Sequence, residues 1–306
     1  MRPTGSKWVG ALMNRTFSPI PRPDAGHRLV NAMTVDVEDY FQVQALEGAV
    51  DRKNWEDMPR RVDRNTNIVL DLFAEADVKG TFFTLGWVAE RHPDLVRRIV
   101  AEGHELASHG MTHVRANEQD RDAFKADVSR AKALLEDVGG VPVTGYRAAS
   151  FSIGENNLWA LDVLAEEGYR YSSSIYPIRH DIYGMPEAPR FAFLPISDSD
   201  FVEAPVTTVE VLGRKVPCGG GGYFRLLPYD ISRWAMRRVN DKDGAACIFY
   251  FHPWEIDPDQ PRQAGLGLKS RFRHYTNLSR MAAKLRRVLR DFEWGRMDQI
   301  FLSSVN

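Results

Sequence analysis

The feature that most constrains the fold of this chain is a regular alternation of short apolar strands with amphipathic helices. Residues 29–36 predict a strand, and residues 80–85 predict a second one. Between them, Ile68, Leu72 and Phe73 mark the apolar face of a helix. Because repeated strand–helix units place parallel strands beside covering helices, we predict an α/β fold. Further strands are predicted at residues 104–108, 142–146 and 169–173.

Polar residues suited to catalysis stand at the ends of these predicted strands. Asp36, His109 and Arg147 each lie where a strand ends or just after it. In barrel-like α/β folds, the carboxyl ends of the strands form the catalytic face. We therefore predict a barrel or distorted barrel in preference to a doubly wound sheet.

Composition narrows the class of protein. The chain has 306 residues and a formal net charge of −1, so its overall charge favours no binding to nucleic acid. Its two cysteines, Cys218 and Cys247, exclude a disulfide framework and suit a reducing compartment. Apolar runs are far shorter than the roughly 18 residues that span a bilayer, and residues 8–13 are too short for a secretory signal. We expect a cytoplasmic protein.

The pattern also predicts how the chain is organised. Residues 1–28, rich in Arg, Pro and Gly, predict a loose leader, and residues 29–258 predict the catalytic domain. Short β segments with Pro and Gly turns follow residue 190, and residues 219–222 predict a tight turn against the site. Residues 259–306 predict a basic helical extension packed on the same domain, with an apolar stripe from Leu278 to Phe292.

His109 and His113, four residues apart, indicate a metal site when they are combined with an upstream acidic cluster. Two imidazoles, one carboxylate and an open position form the ligand set of a catalytic divalent metal, typically zinc. The motif is not His-Glu-x-x-His, because Gly110 follows the first histidine. The base must therefore come from elsewhere, and the acidic cluster is the obvious source.

That cluster contains Asp36, Glu38 and Asp39. In an extended strand, positions 36 and 38 share a face and position 39 points away. One carboxylate can bind the metal while another removes a proton from the attacking water. Spacing alone does not decide between them, and a solvated acidic loop is the alternative interpretation.

His252 and Arg147 complete the candidate set. His252 ends an aromatic strand and is interpreted either as a general acid for a leaving amine or as a buried core histidine. Arg147 is interpreted either as the partner that holds a catalytic carboxylate ionised or as an ordinary surface cation.

These motifs together resemble a known family. Asp36-Val-Glu-Asp, His109-x-x-x-His113, Arg147-Ala-Ala-Ser-Phe and His252 are similar to the ordered motifs of the NodB-type polysaccharide deacetylases, carbohydrate esterase family four. The form of the acidic motif is similar to the subgroup with allantoinase-like and peptidoglycan-deacetylase-like members.

Four further segments resemble a narrower group, the deacetylases found with exosortase-linked exopolysaccharide gene clusters. The resemblance covers nearly the whole chain from about residue 30. The segments are residues 177–184, 220–225, 252–257 and 270–278.

The resemblance implies a NodB-like distorted (β/α) barrel of about seven strands and a divalent metal, expected to be Zn²⁺ with Co²⁺ or Ni²⁺ as alternatives. By position, Asp36 matches the catalytic base, and His109 and His113 match the metal imidazoles. Glu38 or Asp39 matches the metal carboxylate, and the family's preference for an acid close to the base slightly favours Glu38.

Arg147 matches the arginine that orients the base, and His252 matches the general acid.

Two positions depart from the family pattern. Ala149 replaces a proline, so the loop that offers an N–H to the oxyanion is expected to be less rigid. Ser172 stands where relatives often carry an Asp, which weakens the support expected around the site.

The resemblance implies removal of N-acetyl groups from amino sugars of a polysaccharide or its precursor, in exopolysaccharide biosynthesis. The alternatives are an allantoinase-like hydrolase of a small cyclic amide and a catalytically weak carbohydrate-binding or scaffold protein. An N-acetylated polysaccharide or oligosaccharide is the expected substrate, and the sequence predicts no oligomeric state. The basic helix at residues 278–290 would suit contact with the inner face of a membrane.

Overall fold

The computed structural model describes residues 17–20, 29–180 and 183–303, and a largely parallel sheet forms its centre. The strands of this sheet in chain order are β1 (Ser18–Pro19), β2 (Val30–Val37), β3 (Thr81–Thr84), β4 (Glu105–Ser108), β5 (Gly145–Tyr146), β6 (Tyr171–Ser172), β7 (Phe193–Leu194), β8 (Val202–Glu203), β11 (Ile248–Phe251) and β12 (Glu293–Gly295). The remaining two strands, β9 (Thr208–Val211) and β10 (Arg214–Pro217), form a separate hairpin between β8 and β11.

Helices follow most of the strands and pack against the sheet. They are α1 (Val62–Glu75), α2 (Gly86–Arg91), α3 (Pro93–Ala101), α4 (Arg121–Gly139), α5 (Trp159–Glu166), α6 (Gly221–Leu226), α7 (Tyr229–Asp243), α8 (Leu268–Tyr275), α9 (Leu278–Asp291) and α10 (Met297–Phe301). Within the described residues, none of these helices is both long and apolar enough to cross a membrane.

Parallel pairing runs through seven of the described strands in the order β8, β6, β5, β4, β3, β2 and β11. The two ends of this path are joined by irregular backbone. Cys218 N donates to Thr207 O at 3.3 Å, and Tyr250 N donates to Gly219 O at 2.7 Å. The prediction of a distorted barrel of about seven strands is therefore confirmed.

The glycine run at residues 219–222 serves this closure. Gly220 has a φ of 116°, and a Cβ built there would lie 2.1 Å from the carbonyl oxygen of Tyr250. Only glycine permits this conformation and approach together. The predicted tight turn is instead a close crossing of β11, followed directly by helix α6.

Side-chain alternation along the strands separates two buried faces. Ala32, Phe83 and Ala107 belong to one apolar cluster, whereas Met33 and Val35 belong to a second cluster that includes the residues of α1. Because alternate residues of a strand share a face, Asp36 lies on the same face as Ala32, at the carboxyl end of β2. This register brings the first candidate catalytic residue to the barrel mouth.

The C-terminal region packs on the same sheet. The apolar stripe of α9 is buried as the sequence predicted, through Leu278, Met281, Leu285, Val288 and Leu289. β12 then pairs in parallel with the start of β2. In the predicted leader, the described residues 17–20 include β1, which pairs with β7. Most of the leader lies outside the described residues, so its looseness stays a prediction.

Candidate active site

The carboxyl ends of four strands bring the predicted site residues into one cavity. Asp36 is the penultimate residue of β2, His109 follows β4, Arg147 follows β5 and His252 follows β11. A cavity of about 160 Å³ opens above them, and Glu38 is part of its lining. The residues predicted to carry the chemistry therefore lie close together at the carboxyl ends of the strands.

Glu38, His109 and His113 form a compact donor group. Their potential ligand atoms all lie within 4.8 Å of one another. The Nε2 atom of His113 lies 2.9 Å from Oε2 of Glu38. His113 has a φ of 55°, a left-handed conformation that is uncommon for a side chain of this size. Strain of this kind tends to be kept where it aims a functional group.

The remaining histidine supplies the evidence that this group suits a metal. His109 Nδ1 lies 2.8 Å from the carbonyl oxygen of Arg147, which assigns the ring proton to Nδ1. Nε2 is then an acceptor, and it is buried without a hydrogen-bond partner among the described residues. A buried polar atom of this kind calls for a ligand. Two imidazoles and one carboxylate, with room left for water, are a donor set that fits a catalytic divalent metal ion.

Electrostatics favour the ligand forms of these side chains. Burial lowers the pKa of His109 to about 4, which keeps its imidazole neutral at pH 7. Burial alone would raise the pKa of Glu38, but the charges of His113, His252 and His109 and the hydrogen bond from His113 hold it at about 2. A neutral imidazole and an ionised carboxylate are the forms that bind a divalent cation.

The structure separates Asp39 from this group. Its Oδ2 accepts from the backbone N–H groups of Arg61 at 2.7 Å and Val62 at 3.0 Å, and its Oδ1 accepts from Tyr40 N at 2.9 Å. These contacts place the carboxylate at the start of α1, where unpaired N–H groups need acceptors. Asp39 as a metal ligand is therefore corrected to a helix-capping residue, and Glu38 is the acid beside the histidines.

Asp36 is held by a buried arginine. Arg147 Nη1 donates to Asp36 Oδ1 at 2.6 Å and to Thr34 Oγ1 at 2.8 Å. The arginine also donates to the backbone carbonyl and the hydroxyl of Ser173. Its side chain is fully buried, so the surface-cation interpretation of Arg147 is wrong. Because several fixed acceptors hold the guanidinium, the orientation of the Asp36 carboxylate is fixed as well.

His252 stands across the cavity with partners that the sequence did not reveal. Its Nε2 lies 3.4 Å from Glu38 Oε1 and 3.9 Å from Asp36 Oδ2. Its Nδ1 lies 2.7 Å from Oε1 of Glu255, whose Oε2 accepts from Arg225 Nε at 2.6 Å. Burial would lower the pKa of His252, but the hydrogen bond to Glu255 and the nearby carboxylates raise it to about 9.

No role is predicted from the sequence for Glu255 or Arg225. The available signal was the spacing in His252-Pro-Trp-Glu255, where the glutamate follows the histidine by three residues after a proline. This spacing produces a one-turn 3₁₀ helix that returns the carboxylate to His252. Arg225 lies 30 residues earlier, so only the tertiary structure could pair it with Glu255.

The two departures from the family pattern are accommodated locally. Ser172 Oγ donates to Ser174 Oγ at 2.7 Å, and the adjacent strand β8 places Glu203 beside it in register. Burial raises the pKa of Glu203 to about 6, and its carboxylate accepts from the N–H groups of Ser174 and Ile175. A buried acid is therefore present at this place, although it comes from another strand.

The loop after Arg147, expected to be less rigid, is held at several points. Ala148 N donates to Ser174 Oγ at 2.9 Å, and Phe151 N donates to Ala148 O at 3.0 Å. Ser150, with a φ of 54°, lines the cavity. The N–H groups of Ala148 and Phe151 are therefore already used by neighbouring acceptors.

Two family models match consecutive segments of this chain. Residues 54–172 match the family model "Polysaccharide deacetylase", and residues 173–302 match a domain of unknown function, DUF3473. The first segment contains His109, His113 and Arg147, whereas His252 lies in the second and Asp36 precedes both.

Two curated relatives share part of the first segment. A chitooligosaccharide deacetylase of Rhizobium leguminosarum bv. trifolii is 37% identical over 100 residues, covering 33% of this chain and 44% of the relative. A peptidoglycan-N-acetylglucosamine deacetylase of Bacillus cereus is 32% identical over 95 residues, covering 31% of this chain and 34% of the relative. This chain thus matches less than half the length of either relative.

Solved structures extend the likeness of the fold to nearly the whole chain. A Mycobacterium smegmatis protein assigned to the polysaccharide deacetylases superposes with a TM-score of 0.62 at 21% identity, covering 94% of this chain and 95% of that one. Puue allantoinase superposes with a TM-score of 0.57 at 17% identity, covering 98% and 97% of the two chains. Residues 54–172 of this chain therefore form a polysaccharide deacetylase domain, and residues 173–302 match a domain whose function is not known.

Proposed function

We propose that this chain is a metal-dependent N-deacetylase that removes acetyl groups from amino sugars of a polysaccharide or its precursor. The observation that carries the proposal is one cavity in which a Glu-His-His donor group faces both Asp36 and His252. This arrangement offers a metal site, a base and an acid within reach of one scissile amide. The match to the polysaccharide deacetylase model and the similarity to a peptidoglycan-N-acetylglucosamine deacetylase support removal of N-acetyl groups in particular.

Glu38, His109 and His113 would hold the metal. When bound, a divalent ion would lower the pKa of water and polarise the acetamide carbonyl. The chain's own residues then manage the protons. Asp36, oriented by Arg147 at 2.6 Å, accepts the proton that water releases as its oxygen attacks the carbonyl carbon.

His252 completes the reaction on the leaving side. Its Nε2 faces the cavity and its Nδ1 is held by Glu255, so the ring is oriented as a proton donor to the departing amine. The N–H of Ala149 or Ser150 would donate to the oxygen of the tetrahedral centre. The products are acetate and an amino sugar with a free amine.

The test is acetate release from chitooligosaccharides before and after chelation. EDTA is expected to abolish release, and zinc or cobalt is expected to restore it. A matched sample treated with EDTA already saturated with calcium controls for effects of the chelator itself. Full activity in protein shown by elemental analysis to be free of metal would overturn the mechanism.

A second candidate function is hydrolysis of a small cyclic amide. The similarity of the fold to Puue allantoinase is the observation that favours it. The shape of the site favours a polysaccharide substrate over a small cyclic amide, because the catalytic cavity continues into a groove. The 160 Å³ cavity shares Tyr183, Tyr250, His252 and Trp254 with a neighbouring groove of about 720 Å³. A small ring would leave that groove empty, whereas a saccharide chain would extend along it. Acetate release against ring opening separates the two candidates.

The third candidate, a carbohydrate-binding or scaffold protein, is supported only by the departures at Ala149 and Ser172. The hydrogen bonds that hold this loop and the carboxylate of Glu203 weaken that support. Measured binding of chitooligosaccharides without any acetate release by the metal-loaded protein would favour the scaffold.

We further propose a role in exopolysaccharide biosynthesis, in the cytoplasm at the inner face of the membrane. The resemblance of residues 177–184 and 270–278 to deacetylases of exopolysaccharide clusters supports the role. The basic helix α9 supports the membrane contact. Deletion of the gene should raise the acetyl content of the exopolysaccharide, and fractionation should find the protein with membranes at low salt. An unchanged polymer would contradict the role, and a periplasmic protein would contradict the location.

A further inference from the structure

His274 lines the catalytic cavity but has no part in the proposed deacetylation chemistry. It stands near the end of α8, is 1% exposed and belongs to the lining of the 160 Å³ cavity. Arg225 Nη1 donates to the carbonyl oxygen of His274 at 2.9 Å, and Nε of the same arginine donates to Glu255, which holds His252. The position of His274 is therefore fixed relative to the proposed proton donor.

The hydrogen bonds of Gln260 decide which nitrogen of His274 carries the proton. Gln260 Nε2 donates to the carbonyl oxygens of Trp254 at 2.9 Å and Asp257 at 3.0 Å, so Oε1 is the acceptor of this amide. His274 Nε2 lies 2.7 Å from that oxygen and therefore donates to it. Burial lowers the pKa of His274 to about 3, so the ring is neutral at pH 7 and its Nδ1 is an acceptor.

Two ring nitrogens of cavity-lining residues are buried without a hydrogen-bond partner in the described part of the chain. One is the acceptor Nδ1 of His274, and the other is the donor Nε1 of Trp254. The two rings are stacked, with centroids 4.3 Å apart and an interplanar angle of 18°. Buried polar atoms are rarely left unpaired in proteins, so both nitrogens call for a partner.

A hydroxyl group matches this pair of nitrogens. Its O–H can donate to Nδ1 of His274, and its oxygen can accept from Nε1 of Trp254. Trp254 also stacks with His252, with ring centroids 5.2 Å apart and an interplanar angle of 24°. The two unpaired nitrogens are therefore carried by rings in the same stack as the group that is proposed to protonate the leaving amine.

We propose that His274 and Trp254 bind a hydroxyl group of the amino sugar that loses its acetyl group. The inference rests on the proposed deacetylase function and adds a recognition site for the reacting sugar. In a chitooligosaccharide the free hydroxyls within the chain are those at C3 and C6, and either could supply the group. His274 is a specificity-determining residue in both cases. The alternative occupant is a buried water molecule that satisfies the same two nitrogens.

The test compares three substrates of equal length with the metal-loaded full chain. One is a chitooligosaccharide, and the other two lack either the C3 or the C6 hydroxyl groups. The expected result is a kcat/KM for acetate release at least about fivefold lower for one deoxy substrate than for the parent, because that substrate leaves the buried nitrogens unpaired. The substrate that shows this penalty identifies the hydroxyl.

A matched pair of variants assigns the penalty to Nδ1 of His274. In His274→Gln the side-chain amide can still donate to Gln260, but it carries no acceptor at the δ position, so the penalty should shrink to about twofold or less. In His274→Asn the amide offers Oδ1 where Nδ1 stood, so most of the penalty should remain. A structural role would lower kcat/KM for parent and deoxy substrates alike. Thermal melting follows folding in both variants.

Trp254→Phe is a second route to the same answer if the His274 variants do not fold. This substitution keeps an aromatic ring in the stack and removes the Nε1 donor, so the deoxy penalty should again shrink. Calorimetry with the Asp36→Asn chain gives a readout that needs no turnover. The parent oligosaccharide should bind more tightly than the deoxy analogue that shows the penalty.

The outcomes separate this inference from the proposed function. No acetate release from any substrate would count against the deacetylase, and the calorimetric comparison would then judge the hydroxyl site. Equal kcat/KM for all three substrates would leave the deacetylase standing and overturn the hydroxyl site, with water as the occupant. A deoxy penalty that stays unchanged in folded His274→Gln and Trp254→Phe would also overturn it.

Discussion

The two ends of the central strands carry polar clusters of different kinds. At the amino ends, the polar groups bond to one another and are covered by a helix, which makes a closed cluster. At the carboxyl ends, the polar groups face a cavity, which makes an open cluster. Glu105 at the start of β4 accepts from Thr81 Oγ1 at 2.5 Å, from Tyr171 OH at 2.8 Å and from Asp298 N at 3.1 Å. Helix α10 covers this end, since Met297 N donates to Thr81 Oγ1 at 2.8 Å. Four residues after Glu105, His109 presents a buried Nε2 with no hydrogen-bond partner in the described part of the chain.

The difference shows how one set of strands serves two purposes. At the closed end both oxygens of Glu105 are used by neighbouring groups, so the cluster holds the barrel together. At the open end, Nε2 of His109 has no hydrogen-bond partner among the described residues and Arg147 orients Asp36, which suits the metal binding and catalysis that we propose. Barrel enzymes in general place stability at the amino ends and chemistry at the carboxyl ends of their strands.

The largest expected effect is the loss of activity when Asp36, at the carboxyl ends of the strands, is replaced. Asp36→Asn should lower kcat for acetate release about a thousandfold, because the proposed base is lost while the hydrogen bond to Arg147 can persist. Glu105→Gln is the matched control, since it also replaces a buried acid of the central sheet. The kcat of this variant should stay within about threefold of wild type. Initial rates at saturating substrate measure both. Similar losses in the two variants would show that the activity depends on barrel stability and not on a base at Asp36.

The second effect concerns which neighbouring acid binds the metal. Glu38→Gln should weaken zinc affinity by at least about a hundredfold, measured by competition with a chromophoric chelator, because a charged ligand is removed. Asp39→Asn should leave affinity nearly unchanged and lower the free energy of unfolding by about 1 kcal/mol, since it weakens the cap of α1. The reverse pattern would return the ligand role to Asp39.

A smaller effect is expected from Glu255→Gln. The charge of Glu255 helps raise the pKa of His252 to about 9, so its removal should lower that pKa. If protonated His252 is the acid, the alkaline fall of kcat should move to lower pH, and kcat at pH 8 should drop about tenfold. Profiles of kcat between pH 6 and pH 10 test this, with thermal melting to follow folding. An alkaline limb that stays in place would show that His252 does not supply the proton.

The smallest expected effect is a change in the pH dependence of stability, caused by Glu105 at the amino ends of the strands. Burial and the charge of Asp298 raise the pKa of Glu105 from 4.5 to about 7. Between these values the folded state binds more protons than the unfolded state, so stability should fall as pH rises through this window. Glu105→Gln should remove that loss, which urea unfolding at pH 4.5, 6 and 7.5 would detect as a smaller decrease in the free energy of unfolding than in wild type. An equal pH dependence in both proteins would assign the titration to other groups.

Much of the fold followed from local patterns. Apolar periodicity predicted β2 within one residue and placed the buried stripe of α9, because core-facing positions repeat within an element. The glycine run at residues 219–222 predicted only a tight turn, and it did not reveal the contact with Tyr250, which lies about 30 residues later in the chain. Barrel closure depends on such distant contacts, which no window of the sequence contains.

By itself, the sequence determined the alternation of strands and helices and the residue types at the strand ends. Only the tertiary structure decided that Asp39 caps α1, that Glu255 and Arg225 support His252, and that the end of α8 lies beside the cavity. The physical reason is that the identity and spacing of residues set local conformation. The direction of a carboxylate or a guanidinium depends on hydrogen-bond partners that the fold brings from remote positions.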